Sequence, residues 1–234
     1  MRRVVRGFWG PRVETVEELA QRWELTLHQV ARLLGDTATG PGWAWRRVRA
    51  SGADDAPLAP GREPLAEVLG EARTADDWSD RVGTGLRLIA VPEAGVRVKI
   101  SGLGGGTPEF LLQSVVMAVE APDDAEVPEG ELLAVLARVW EPDFGDVSDD
   151  DLLDALEDEA GHTVGDPVVG RYGYLSPARA ALVPAGIGAG RQELPGGGVL
   201  LALGGTAEVV AAYAALHASG ALHPLPRPLD RAVL

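Results

Sequence analysis

Leu86-Arg87-Leu88-Ile89-Ala90-Val91-Pro92-Glu93-Ala94-Gly95-Val96-Arg97-Val98-Lys99-Ile100 is the stretch that decides the fold class. Leu86–Val91 and Val96–Ile100 are two β runs, and the four residues between them suit a hairpin. Val96-Arg97-Val98-Lys99-Ile100 alternates apolar with cationic residues, so one face of the sheet is core and the other wet, as antiparallel sheets allow. Ser114–Glu120 is a third run to pair with them. With the helical segments around this block, the reading is an α+β fold: a single domain, 1–234, with a mostly antiparallel sheet packed with helices.

Towards the N-terminus, Val4–Trp9 reads as a short strand broken by Pro11. Thr15-Val16-Glu17-Glu18 is a capping box. Val16, Leu19, Ala20, Trp23, Leu27, Val30, Ala31 and Leu34 then repeat at the helical period until Gly35 stops them. Trp9 and Trp23 are expected in the core, and His28 at a solvent edge. Trp43-Ala44-Trp45 precedes Arg46, Arg47 and Arg49. That grouping could stack a base, but a strand edge whose arginines cover aromatic faces is the simpler expectation. Ser51–Pro64 reads as a loop and Leu65–Ala72 as a short helix. Towards the C-terminus, Glu129–Trp140 is a helix ended by Pro142. Val168–Ser176 is a strand with glycine interruptions, Val199–Leu203 another strand, and Ala207–Ala218 a helix ended by Gly220. His223–Pro228 is an extended, proline-stiffened tail.

The hydrophobic fraction of 46% is that of a folded chain rather than a disordered one. No apolar run reaches the 18 or so residues of a membrane span. The first residues carry charge with no following apolar segment, so no secretion signal is read there. The absence of cysteine excludes disulfides, thiolate metal sites and cysteine nucleophiles together. A cytoplasmic protein is expected. The net charge of −14 is unevenly spread: residues 119–166 hold 17 acids and one base, Arg138, whereas residues 1–50 hold nine arginines against five acids. An acidic surface of this kind repels nucleic acid and anionic membranes and attracts basic proteins.

The acid is densest in Asp146-Val147-Ser148-Asp149-Asp150-Asp151-Leu152-Leu153-Asp154-Ala155-Leu156-Glu157-Asp158-Glu159. Ser148 is a good N-cap, Val147 and Leu152 fall at staple positions, and Gly161 ends the run. Leu152, Leu153, Leu156 and Ala160 face inward at helical spacing, which leaves Asp150, Asp154, Glu157 and Asp158 on one outer stripe. Carboxylates in the first turn are favoured by the helix dipole. Those at the last turn oppose it, and like charges four apart cost about 0.2–0.5 kcal/mol a pair. A solvated face tolerates that repulsion, and a cationic partner would relieve it.

Other chemistry finds little support. Gly102-Leu103-Gly104-Gly105-Gly106 follows a strand but lacks the glycine spacing of a dinucleotide loop, and reads as a flexible hairpin loop. Asp143-Phe144-Gly145 matches the kinase magnesium motif without its companions. The four histidines lack metal-ligand spacing, no serine sits in a nucleophile elbow, and the aspartate run lacks the pattern of a calcium loop. No catalytic residue, metal or cofactor is assigned.

Four segments in order resemble one family: Gly7-Phe8-Trp9-Gly10-Pro11-Arg12 before a long helix, Trp140-Glu141-Pro142-Asp143-Phe144-Gly145 after another, Tyr172-Gly173-Tyr174-Leu175-Ser176, and Gly197-Gly198-Val199-Leu200-Leu201 ahead of a C-terminal helix. The order is similar to immunity protein family 52 of bacterial polymorphic toxin systems. The resemblance implies a non-catalytic cytoplasmic inhibitor that binds a cognate toxin, with nucleases among the family's targets. The run of acids is longer than the family pattern. The charge distribution leads to the same expectation, because a nuclease is basic where it grips phosphate. The candidate toxin-binding residues are Asp150, Asp154, Glu157 and Asp158, with Trp140 and Tyr172 beside them. The alternatives are an enzyme or small-ligand binder built on the glycines near Gly102 and Gly186, or an acidic adaptor.

Overall fold

The computed structural model describes residues 1–35, 43–48, 56–76, 78–90, 96–187 and 190–225. The expected hairpin turn at 92–95, Arg49, the first part of the 51–64 loop and the end of the proline tail lie outside them. In chain order the elements are β1 (Arg2–Trp9), α1 (Val16–Leu34), β2 (Arg46–Arg47), β3 (Ala56–Pro57), α2 (Arg62–Arg73), β4 (Thr84–Ala90), β5 (Arg97–Gly104) and β6 (Gln113–Glu120). They continue with α3 (Glu129–Trp140), β7 (Phe144–Ser148), α4 (Asp150–Ala160), β8 (Tyr172–Leu175), α5 (Pro177–Ala180), β9 (Gln192–Glu193), β10 (Val199–Ala202) and α6 (Thr206–Ala218). The fold is α+β, and pairing within each of its two compact units is antiparallel.

The first unit takes in residues 1–2 and 10–128. Its strands run in the order β3-β2-β4-β5-β6, and the pairing Leu88↔Ile100↔Met117 sets three apolar side chains on one face. That face is buried, while Arg87, Arg97 and Lys99 on the other are exposed, as the alternation requires. Helix α1 begins at the expected capping box: the Glu18 N–H donates to Thr15 Oγ1 at 3.1 Å, and the Thr15 N–H donates to Glu18 Oε2 at 2.8 Å. Leu19, Trp23, Leu27 and Val30 turn inward, where Leu65 and Leu69 of α2 meet the same core. Two expectations need correcting here, those for residues 51–64 and for the glycine run from Gly102. Residues 51–64 are not all loop, because Ala56–Pro57 pairs with β2 and α2 begins at Arg62. Trp45 is 8% exposed beside the paired Arg46–Arg47, which agrees with the simpler strand reading of Trp43–Trp45 rather than an open stacking platform. The glycine run from Gly102 is packed rather than loose: Gly102–Gly104 close β5, and a Cβ on Gly102 would lie 2.8 Å from the Trp23 ring.

The second unit takes in residues 3–9 and 129–225, with strands in the order β1-β7-β8-β10-β9. Its second strand, β7, is one the hydropathy pattern does not show. Phe144-Gly145-Asp146-Val147-Ser148 carries polar residues where a buried strand carries apolar ones, yet all five are buried. The register Arg6↔Asp146 explains how. Arg6 donates Nε to Asp146 Oδ1 at 3.0 Å and Nη2 to Oδ2 at 2.7 Å, and Ser148 Oγ donates to Oδ2 at 2.8 Å. A buried carboxylate is stable only when paired in this way. Gly7↔Gly145 is equally forced, because a Cβ on Gly145 would sit 2.6 Å from the Arg6 carbonyl oxygen. Helix α3 covers this face, with Leu133 over Gly145 and Gly130 under the Tyr172 ring. The expected strand at 168–176 shrinks to Tyr172–Leu175, since Gly170 turns its backbone against Val147. Among the described residues no helix is long and apolar enough to cross a membrane.

Candidate functional site

Helix α4 carries the acidic stripe, and its start differs from the sequence expectation. Ser148 is not the cap, because β7 holds it in the sheet with its hydroxyl on Asp146. Asp149 caps instead, in extended backbone (φ −128°, ψ 173°), accepting the Leu152 N–H at Oδ1 at 3.0 Å. The staple pairing of Val147 with Leu152 falls with it, and Val147 belongs to the strand core. The helix ends as expected in Gly161, at φ 68°.

Asp149 does more than cap. Its Oδ2 accepts Arg3 Nη1 and Arg171 Nη2, each at 2.8 Å, and Arg3 Nε also donates to Glu129 Oε1 at 2.6 Å. Burial alone would raise the Asp149 carboxyl, but the Arg171 and Leu152 hydrogen bonds and the two guanidinium charges hold it below the usual carboxylate range. Asp143 of the dismissed kinase-like motif is likewise committed, accepting Arg179 Nε at 2.7 Å. The inner carboxylates of this unit, Glu129, Asp143, Asp146 and Asp149, therefore all have arginine partners.

The outer carboxylates differ. Asp150, Asp154, Glu157 and Asp158 are exposed, as their spacing requires once Leu152 and Leu156 are buried. Asp154, Glu157 and Asp158 make no ion pair among the described residues. The aromatic candidates divide. Trp140 is 1% exposed and stacks on Trp9 at 5.5 Å, so it is a core residue and is withdrawn from the surface. Helix α3 ends with that face against β1, which its position beside a proline does not reveal. Tyr172 stays half-buried at the edge of an open cleft of about 820 Å³.

That cleft is lined by residues that include Glu129, Arg171, Tyr172, Gly186, Glu208 and Ala211. It adjoins α4 through the Arg171–Asp149 pair, and α4 packs on α6, which supplies Glu208 and Ala211. Sequence reasoning missed Arg3, Glu129 and Arg171, since nothing local ties residues so far apart to one carboxylate. At the other end of α4, His162 lies edge-on to Tyr213 with ring centroids 5.7 Å apart. Burial pushes its imidazole below the ordinary histidine range, against the raising influence of Asp166 and Glu157. Among the described residues no group of three or more His, Asp or Glu is placed to hold a metal. No protein-family model matches the chain, and neither does any curated protein.

Proposed function

We propose that the protein is a stoichiometric inhibitor, an immunity protein that neutralises a basic toxin, a nuclease by preference, in the cytoplasm through the outer face of α4. One contrast supports this reading: the second unit pairs its inner carboxylates with arginine, while Asp154, Glu157 and Asp158 are exposed and make no ion pair among the described residues. Glu157 and Asp158 sit in the last turn, where the helix dipole is already negative, and Asp154 lies one turn before them on the same face, an arrangement that costs stability in isolation and is relieved by a cationic surface. Exposed charges of one sign steer a partner of the other and accelerate encounter. The segments resembling immunity protein family 52 support the same reading.

The test replaces Asp154, Glu157 and Asp158 together with Asn or Gln and measures association with the toxin encoded beside this chain. The expected result is a slower association rate with a flatter dependence on ionic strength, at equal or slightly higher thermal stability. Unchanged affinity and unchanged salt dependence would return α4 to a merely solvated face. Full protection by substoichiometric protein would replace inhibition by catalysis.

A further inference from the structure

The first unit holds a groove of about 790 Å³ at the edge of β4, within the size range of small-molecule sites. Its apolar wall is Val48, Ala72, Ala75, Trp78, Val82 and Leu103, and Arg47, Arg87, Ser101 and Ser114 line it with polar side chains. No carboxylate among the described residues lines it, in a chain with 35 acids. Arg47, at the rim, is held by Glu71 at 2.7 Å. Arg87 is exposed and makes no ion pair among the described residues. Among the described residues the Ser101 and Ser114 hydroxyls make no hydrogen bond either, and the buried Trp78 indole N–H finds no acceptor. The uncommitted polar groups of this groove can therefore all donate, and among the described residues no acidic side chain lines it to compete for them. A buried donor without a partner is costly and is normally satisfied by something.

Gly85 is the second observation. It lies mid-strand with its φ outside the left-handed region, and a Cβ there would meet nothing closer than the Gly102 carbonyl oxygen at 3.9 Å. Neither packing nor dihedral angle demands glycine, which weakens a strand. Glycine inside a strand often marks a bulge, a bend or the close approach of a ligand or another backbone, and the even register of β4 with β5 shows no bulge. The register puts Arg87 opposite Ser101, and Gly85 opposite Leu103, which in turn faces Ser114. Arg87 and Ser101 thus form a polar end beside Gly85 and Leu103, with Trp78 and Val82 among the apolar walls.

We propose that this groove binds a small organic anion with a flat apolar body, its carboxylate on Arg87 and Ser101 and its body over Gly85 and Leu103 against Trp78. The groove belongs to the first unit and α4 to the second, and its occupant is not the basic partner proposed above. The experiment titrates the ¹⁵N-labelled full chain with 2-naphthoate, with the neutral 2-naphthalenemethanol and with inorganic phosphate. The readouts are the Trp78 indole N–H and the Gly85 and Ser101 amides. The expected result is saturable shifts with 2-naphthoate at millimolar concentration or below, and binding at least about tenfold weaker for the other two. Arg87→Gln should weaken 2-naphthoate by about the same factor. Gly85→Val should melt at the same temperature or higher and lose binding, because its side chain fills the floor without a clash. No saturable response to 2-naphthoate overturns the proposal. So does an equal response to the alcohol, or undiminished binding in the folded Gly85→Val or Arg87→Gln protein.

Discussion

Trp9 and Trp140 show how much one contact hides from a linear reading. Trp9 is 3% exposed, as its place on a strand before α1 suggests, but the ring it stacks on lies far along the chain. Trp9→Ala is expected to cost roughly 3–5 kcal/mol in chemical denaturation, the range for deleting a buried aromatic ring. Normal melting with lost partner binding would instead put Trp9 in an interface. Glu141 is the one described non-glycine residue at positive φ, 47°, where it follows α3 and precedes Pro142. Glycine is the usual occupant of that position because a Cβ is strained there. Glu141→Gly is expected to raise stability by up to about 1 kcal/mol, the relief of left-handed strain less the entropy glycine adds to the unfolded chain. A loss in the denaturation midpoint would mean that the Glu141 side chain matters more than its backbone.

Among the elements, α4 was legible as a helix and β7 was not. The amphipathic spacing of Leu152 and Leu156 needs no knowledge of what they pack on, so the outer stripe of acids could be placed from spacing alone. Strand β7 breaks the alternation that reveals strands, because its buried Asp146 and Ser148 are satisfied by Arg6 of β1. Its presence also moves the cap of α4 from Ser148 to Asp149. Asp149→Ala should remove the cap and leave Arg3 and Arg171 short of a partner, a combined loss of about 2–4 kcal/mol. Asp149→Asn retains a side-chain oxygen for the Leu152 N–H and should lose less, since asparagine caps as well as aspartate. Equal losses in urea titrations of the two variants would show that the arginines contribute everything and the cap nothing.

Across the whole chain, 35 acids outnumber 21 bases, and pH dependence follows from where a few groups are buried. His162 has its folded-state pKa lowered by burial. The unfolded chain then binds more protons than the folded one as pH falls through about 6.5, so stability declines from there downward. Asp149, lowered in the folded state, contributes stability above the ordinary carboxylate range that is lost at more acid pH, as pH falls through its folded-state value. Between about pH 7.5 and 5.5 the fall in melting temperature should therefore be smaller in His162→Gln than in the parent chain. Identical slopes would show that His162 stays solvated in solution. The sequence by itself determined the α+β class, the antiparallel β4–β5–β6 block, the capping box of α1 and the outer acids of α4. Each rests on periodicity or on contacts within a few residues. Only the tertiary structure decided that Trp140 is core, that Asp149 rather than Ser148 begins α4, and that Arg3, Glu129, Asp149 and Arg171 form one network. It likewise decided that Gly85, Arg87, Ser101 and Trp78 share a groove. Those features depend on strand register and on pairs distant in the chain, where local hydropathy carries no information about which polar group will find its partner.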